Sequence, residues 1–168
     1  NMAISLAREV NHTILLVDLD LRKPTVRKYL TDEELLGISD FLLEGEPVEN
    51  LLIHPGVERL VILPGHDPIS HSSELLSSPR MSLLVEELKE RYPTRLILFD
   101  LPPVLACDDV VAFSPQFDAY MLVVEDGRST APEVKRTLEL LEKKELMGLV
   151  LNKASSQTSG YGYGYGYG

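Results

Sequence analysis

The sequence has no tryptophan and only one cysteine, Cys107. A single cysteine cannot form an internal disulfide, and no residues at metal-ligand spacing surround it. We therefore expect a reduced setting and interpret Cys107 as an ordinary buried residue rather than a catalytic or redox thiol.

Long apolar runs and basic residues are also scarce. No run approaches the ~20 apolar residues that a membrane-spanning helix needs, and no signal-peptide pattern is present. Sixteen Lys and Arg stand against 26 Asp and Glu, a net charge of -10. Such a surface repels nucleic acid and anionic lipid unless a basic patch offsets it, so we expect no nucleic-acid partner.

The sequence is otherwise that of an ordinary globular protein. Its 168 residues are 44% hydrophobic and 25% charged, enough to bury the core of one compact domain. Asn1 opens directly into helical sequence, so we expect a fragment. We predict a domain over residues 1–153, and a disordered tail over 154–168, where Ser, Thr and Gln give way to four Tyr-Gly pairs.

Apolar runs alternate with helical patterns along the domain. The runs are continuous rather than alternating, which is typical of parallel strands covered by helices on both faces. The pattern predicts an α/β fold with a mostly parallel sheet and right-handed crossovers. The predicted strands are Thr13–Val17, Leu60–Leu63, Leu96–Phe99, Tyr120–Val124 and Leu149–Leu151.

The predicted helices have clear boundary signals. Ser78 is expected to cap a helix with Pro79 at its first position, and Thr130 begins a capping box. A short helix is predicted over Ser39–Leu43. Three stripes of apolar residues indicate further helical faces: Met2, Leu6 and Val10; Met81, Leu84, Val85 and Leu88; Val134, Leu138 and Leu141.

Two predicted strands end in aspartate. ILLVDLDLRKP places Asp18 and Asp20 at a strand tip with Arg22 and Lys23 just beyond, and LILFDLPP places Asp100 at another. Ligands of open α/β sheets bind at the carboxyl ends of the strands. Carboxylates meeting there could hold Mg²⁺ with the help of phosphates and waters, or accept a proton. The alternative interpretation is that these aspartates are helix caps in solvated turns.

Other polar residues receive a structural interpretation. Asp108 and Asp109 precede an apolar helix, and we interpret them as caps. His12, His54 and His66 are scattered in turns and give no basis for a metal site. His71 is interpreted as a loop residue rather than a catalytic base.

The two aspartate motifs also carry a family resemblance. ILLVDLDLRKP resembles the variant second Walker A element of bacterial tyrosine autokinases, and LILFDLPP resembles their Walker B element. GISDFLLEG, SSELLSSPRM, DAYMLVVEDG and GLVLNKA recur in that family in similar order. The likeness spans nearly residues 1–152 and is nearest to the autokinases of exopolysaccharide loci.

The resemblance implies roles for the acidic residues. Asp18 would help to coordinate Mg²⁺ through water and activate the incoming tyrosine hydroxyl. Asp20 would support the metal site or catalysis beside it, and Asp100 would be the Walker B carboxylate. ATP and Mg²⁺ are thus the implied substrate and cofactor.

The resemblance assigns further roles outside the acidic residues. Arg22 and Lys23 would steady phosphates or subunit contacts, although a solvated basic turn explains them equally well. Asn152 would hydrogen-bond adenine, although a turn-forming Asn is also consistent. Four tyrosines in the tail would be phosphate acceptors, reached by a neighbouring subunit: Tyr161, Tyr163, Tyr165 and Tyr167.

Three features depart from the family pattern. The P-loop, G-x-x-x-x-G-K-[ST], does not occur in the sequence, so we expect this fragment alone to be inactive. Leu101 replaces the Ser or Thr that commonly follows the Walker B aspartate. His71-Ser-Ser replaces the usual Asn-Pro-x before Glu74.

The resemblance implies an enzyme with partners. They would be a membrane activator or polysaccharide co-polymerase, other copies of the same chain, and a tyrosine phosphatase. The location would be cytoplasmic, at the inner face of the plasma membrane. Two alternatives remain: a ParA/MinD-like positioning ATPase, and a degenerate, non-enzymatic interaction module.

Overall fold

The computed structural model describes residues 2–9, 12–30, 35–91 and 93–154. The chain divides into two compact units, Asn1–Phe117 and Asp118–Gly168, and each is described here by itself. The predicted α/β architecture with parallel strands is confirmed. The predicted domain boundary at residue 153 remains a prediction.

The first unit is built on a three-stranded parallel sheet in the order β2-β1-β3. Strand β1 is Ile14–Asp18, β2 is Leu60–Leu63 and β3 is Leu96–Asp100. All three lie within one residue of the predicted strands. Central β1 pairs with both neighbours, so its Ile, Leu and Val side chains are the natural centre of the core.

In the described part of this unit, five α-helices accompany the sheet. Ser78 Oγ accepts a hydrogen bond from the Met81 N–H at 3.2 Å, which confirms the predicted cap. The predicted apolar face of the helix that follows, Met81, Leu84, Val85 and Leu88, is buried. The helices are α1 (Met2–Glu9), α2 (Ile38–Glu44), α3 (Ser72–Leu76), α4 (Pro79–Arg91) and α5 (Asp109–Phe113).

Two expectations for this unit are corrected. Helix α1 forms, and Leu6 packs against the core as predicted. The fully buried residues of the helix are Ala3 and Ala7, however, and Met2 is exposed. Val10 lies outside the described residues. Strand β3 is only partly covered, because among the described residues it pairs with β1 alone, and Leu96 is exposed.

Up to residue 154, the second unit contains two parallel strands and one helix. Strand β4 is Ala119–Glu125, α6 is Ala131–Leu140 and β5 is Glu145–Asn152. Thr130 and Glu133 form the predicted capping box, with Glu133 Oε2 accepting from the Thr130 N–H at 2.8 Å. Strand β5 begins four residues before the predicted start.

The strands of the second unit are not buried on both faces as expected. Met121, Val123, Leu149 and Leu151 are exposed, since α6 is the one helix that residues 118–154 supply as cover. An open cavity of about 440 Å³ lies between the helix and the sheet, lined by residues that include Val124, Val134, Leu138 and Leu151. Of the predicted apolar stripe, Val134 and Leu138 line this cavity, whereas Leu141, just after α6, is buried.

Within the described ranges, no helix combines the length and the apolar character needed to cross a bilayer.

Candidate functional site

The pairing of β1 with β3 brings two predicted site residues together. The strands run in register, so Asp18 is the direct partner of Asp100 at the carboxyl end of the sheet. The Leu19 N–H donates to the Asp100 carbonyl oxygen at 2.8 Å and extends the pairing one residue further. The sequence-based expectation that these two strand tips are neighbours agrees with this geometry.

Asp18 is buried and holds the loop that follows its strand. One carboxylate oxygen, Oδ2, accepts from the N–H groups of Thr25 at 3.1 Å and Val26 at 3.0 Å. The other, Oδ1, accepts from the Asp20 N–H at 3.3 Å. Burial raises the pKa of Asp18, and repulsion from Asp100 adds to the rise, while the backbone hydrogen bonds partly oppose it.

Asp100 lies at the surface, although neighbouring protein still removes some of the water from its carboxyl group. This desolvation raises the pKa of Asp100, and the negative charge of Asp20 raises it further. Asp20 Oδ1 accepts from the Lys23 N–H at 3.0 Å, so it shapes a tight turn after β1. The three aspartates therefore form one electrostatically coupled group.

A glycine allows a second loop to approach this group. A Cβ atom on Gly65 would collide with the ring of Pro24 and would lie 3.4 Å from Asp18 Oδ2. Only glycine fits here without movement of the surrounding backbone. The segment after β2 thus packs directly over the turn that Asp18 organises.

The two basic residues of the motif behave differently. Lys23 is exposed, and its N–H closes the turn on Asp20. Arg22 binds Asp109, with its Nε 3.3 Å from Oδ2 and its Nη2 3.3 Å from Oδ1. The hydrogen bonds to Asp109 raise the pKa of Arg22.

Asp108 and Asp109 correct the capping interpretation. Asp108 precedes α5 but makes no side-chain capping bond. Asp109 is completely buried, and its Oδ2 also accepts from the Ser72 hydroxyl at 2.7 Å. The sequence reasoning missed Ser72 and Asp109 as parts of this site; the only signal was an acidic residue at the start of an apolar helix.

Cys107 also departs from the expectation. It is half-buried rather than buried, and it lies close enough to Arg22 to interact with the guanidinium. Its position follows from the turn between β3 and α5, which brings the chain back toward the motif loop.

In the described part of the chain, no histidine is hydrogen-bonded to Asp18, Asp20 or Asp100. His66 Nδ1 lies 3.0 Å from Asp40 Oδ2, and that oxygen also accepts from the Gly37 N–H at 2.6 Å. His71 is exposed and precedes α3, as expected for a loop residue. These contacts fix the loops after β2 and before α2.

The remaining predicted residues lie elsewhere. Asn152 ends β5 in the second unit, where its Oδ1 accepts from the Lys153 N–H at 2.9 Å. This bond matches the turn-forming alternative, and the role toward adenine stays a prediction. The four tail tyrosines, Tyr161 to Tyr167, lie outside the described residues.

The carboxylates suit Mg²⁺ by their chemistry. Mg²⁺ binds through one or two carboxylates while waters and substrate phosphates complete its shell. Asp18 and Asp100 are such a pair: desolvation, and secondly the charge of neighbouring carboxylates, raises the pKa of each, and a bound cation would favour the ionised forms. Across the described residues, no group of three or more His, Cys, Asp or Glu is arranged as a full metal cage.

Comparison with curated proteins identifies the family. The chain is 32% identical over 164 residues to the tyrosine-protein kinase YwqD of Bacillus subtilis, covering 96% of this chain and 68% of YwqD. The chain belongs to the bacterial tyrosine-protein kinase family. It is also 31% identical over 166 residues to the succinoglycan biosynthesis transport protein ExoP of Rhizobium meliloti, but spans only 21% of ExoP. No family model matches the chain.

Solved structures agree with this assignment. The kinase domain of VpsO superposes with a TM-score of 0.81 at 30% identity, covering 91% of this chain and 75% of that domain. The cell division ATPase MinD of Pyrococcus furiosus superposes with a TM-score of 0.71 at 22% identity, covering 89% of this chain and 62% of MinD. The second likeness concerns the fold alone, which is the P-loop ATPase type.

The raised pKa of Asp100 predicts a pH-dependent gain in stability when its charge is removed. At pH 7 the ionised carboxylate opposes folding, so Asp100→Asn should stabilise the chain by about 0.5 kcal/mol, a small value because the group is partly solvated. The gain should vanish as pH falls through the raised native pKa toward the ordinary aspartate value of 3.8. Urea unfolding between pH 3.5 and 8 measures this difference.

Asp67→Asn is the matched control, because Asp67 is exposed in a loop. It should change the urea midpoint little at any pH. A loss of stability at pH 7 in Asp100→Asn would contradict the electrostatic description of the site.

Proposed function

We propose that the protein containing this chain is an ATP-dependent protein-tyrosine autokinase that regulates exopolysaccharide polymerisation or export. The observation that carries the proposal is the in-register placement of Asp18 and Asp100 at the carboxyl ends of adjacent parallel strands, with Asp20 beside them. Family membership supports phosphoryl transfer to tyrosine, and the similarity to ExoP, a succinoglycan biosynthesis transport protein, supports the link to polysaccharide.

Asp18, Asp20 and Asp100 would have different roles in the reaction. In phosphoryl transfer the tyrosine oxygen attacks the γ-phosphorus, the bond to the β–γ bridging oxygen breaks, and ADP leaves. Mg²⁺ would neutralise charge on the transferring group. Asp18 and Asp100 would hold the ion, partly through water, and the buried Asp18 would also keep the loop up to Val26 in place.

The tyrosine proton needs a separate acceptor. Both Asp18 oxygens already accept backbone N–H groups, which leaves that carboxylate less suited to the task than we expected from the sequence. Among the described residues, the side chain of Asp20 accepts one hydrogen bond, at Oδ1 from the Lys23 N–H. We therefore propose that Asp20 Oδ2 accepts the tyrosine proton. General-base catalysis of this kind contributes roughly 10²–10⁴ in rate.

The basic and amide groups would bind the nucleotide. Arg22 and Lys23 would contact its phosphates, and Asn152 would hydrogen-bond adenine. Partners would be a membrane activator or co-polymerase, further copies of the chain, and a tyrosine phosphatase, at the inner face of the plasma membrane. The acidic net charge of -10 argues against a nucleic-acid partner.

The aspartates are tested in the complete protein. Asp20→Asn and Asp100→Ala should each lower autophosphorylation by roughly a hundredfold or more, because charge stabilisation and proton acceptance are lost. Labelled ATP measures the rate, and phosphotyrosine analysis identifies the product. Asp67→Asn serves as the control.

Near-normal autophosphorylation by the Asp100→Ala protein would refute the proposed role of Asp100 in phosphoryl transfer. Release of free phosphate without phosphotyrosine would instead support the positioning-ATPase alternative, which the likeness to MinD makes the second candidate. A wild-type protein that neither hydrolyses ATP nor labels itself would support the non-enzymatic module.

The four tail tyrosines are the proposed acceptors. Alternating glycines allow extended backbone, in which residues two apart project to the same side and can enter a site one after another. Each phosphate adds roughly -1.5 to -2 charges. Phosphorylation of Tyr161, Tyr163, Tyr165 and Tyr167 would then loosen a ring of acidic subunits by repulsion.

A mixing experiment tests acceptor and direction together. A complete active protein lacking residues 154–168 is mixed with a tailed Asp100→Ala protein and labelled ATP. We expect label on the tailed partner, located by mass spectrometry among the four tail tyrosines. An unlabelled tailed partner excludes transfer between subunits, and label only at other residues excludes the tail as acceptor.

A further inference from the structure

Arg22, Asp109 and Ser72 form a connected polar group beside the aspartates. The guanidinium faces the Asp109 carboxylate with two nitrogens, at 3.3 to 3.4 Å, and the Ser72 hydroxyl donates to Oδ2 of the same carboxylate at 2.7 Å. The three residues come from the loop after β1, the start of α3 and the start of α5. The group therefore ties three separate segments together.

The burial of this group is unequal. The side chain of Asp109 is 0% exposed and Ser72 is also fully buried, whereas the side chain of Arg22 is 44% exposed. Burying a carboxylate is costly unless hydrogen bonds and an opposite charge compensate it. Asp109 is thus a fixed, buried anion, whereas Arg22 is a cation that still faces solvent.

The backbone beside Arg22 is held as well. The Ile69 N–H donates to the Leu21 carbonyl oxygen at 2.8 Å, and the Lys23 N–H donates to Asp20 on the other side. Arg22 consequently has little freedom in its main chain. Its side-chain direction is then set by Asp109.

We propose that Asp109 is a positioning residue for phosphoryl transfer, which, with Ser72, fixes Arg22 so that the exposed part of its guanidinium faces the nucleotide phosphates. This inference rests on the proposed function. Nε and Nη2 bind Asp109, and Nη1 would contact the phosphates. A guanidinium ordered before binding loses less conformational freedom on contact with phosphate, which is the benefit of a preorganised site.

The same arrangement explains why the cation is an arginine. A planar guanidinium can bind a carboxylate along one edge and offer another nitrogen to a phosphate, whereas a lysine ammonium has no such fork. Arg22→Lys should therefore lower kcat/KM for ATP substantially, although it conserves the charge.

A double-mutant cycle in the complete kinase tests the proposal. Asp109→Asn and Arg22→Ala should each lower kcat/KM for ATP by roughly tenfold to a hundredfold, with a raised KM, because charge-assisted hydrogen bonds are lost. In the Arg22→Ala protein, the added Asp109→Asn change should have less than about a twofold effect. Asp108→Asn, an exposed neighbour, should match the wild type.

A merely structural role gives a different result. Asp109→Asn would then lower the melting temperature and the active fraction, leave KM for ATP unchanged, and add fully to Arg22→Ala. Either an unchanged KM or full additivity overturns the proposal. If Asp109→Asn does not fold, Ser72→Ala replaces it in the cycle, with an expected loss of a few-fold and the same non-additivity.

A readout independent of activity separates this inference from the proposed function. In ¹⁵N spectra of the wild-type protein, the Arg22 Nε–H should give a resolved signal protected from exchange, because Nε donates to Asp109. Asp109→Asn or Ser72→Ala should weaken that protection. An unchanged signal refutes the positioning role even in a protein with no kinase activity, while a changed signal with no phosphotyrosine in the wild type would refute only the proposed function.

Discussion

The site depends on the parallel, in-register pairing of β1 with β3. This pairing sets Asp18 directly beside Asp100, and the hydrogen bond from Leu19 to Asp100 prolongs it to the start of the motif loop. A slip of one residue would turn every side chain of a strand to the opposite face of the sheet. The apolar residues that bury β1 therefore also determine where the carboxylates meet.

The cluster formed by the Asp18, Asp20 and Asp100 carboxylates lowers the stability of the fold, and other contacts must offset this loss. Burial raises the pKa values of Asp18 and Asp100, and repulsion from Asp100 and from Asp20, respectively, adds to the rise, so both ionised groups oppose folding at neutral pH. Backbone N–H groups stabilise Asp18, and Arg22 neutralises the neighbouring buried Asp109. A site that lowers stability in this way is typical of catalysis that needs concentrated charge.

Much of the fold could be predicted from sequence because its signals are local. Apolar runs gave the strands of the first unit within a residue, and Ser78 and Thr130 marked their helices by capping chemistry. The aspartates at strand tips could be inferred from the rule that parallel strands share a carboxyl edge. The pairing of Arg22 with Asp109 could not, since 87 residues separate them and only the packing of α3 against α5 brings Ser72 to the same carboxylate. The prediction that helices cover both faces of β4 and β5 was also wrong, because apolar sequence alone does not show whether a helix packs on a face.

Site-resolved titration of the aspartate carboxyl carbons by NMR tests the central claim most directly. The account predicts that Asp18 and Asp100 titrate above the ordinary aspartate value of 3.8, because both groups are desolvated and near other carboxylates. Asp100→Asn should lower the pKa of Asp18, and Asp20→Asn should lower the pKa of Asp100. Ordinary pKa values that do not respond to either substitution would contradict the coupled carboxylate site.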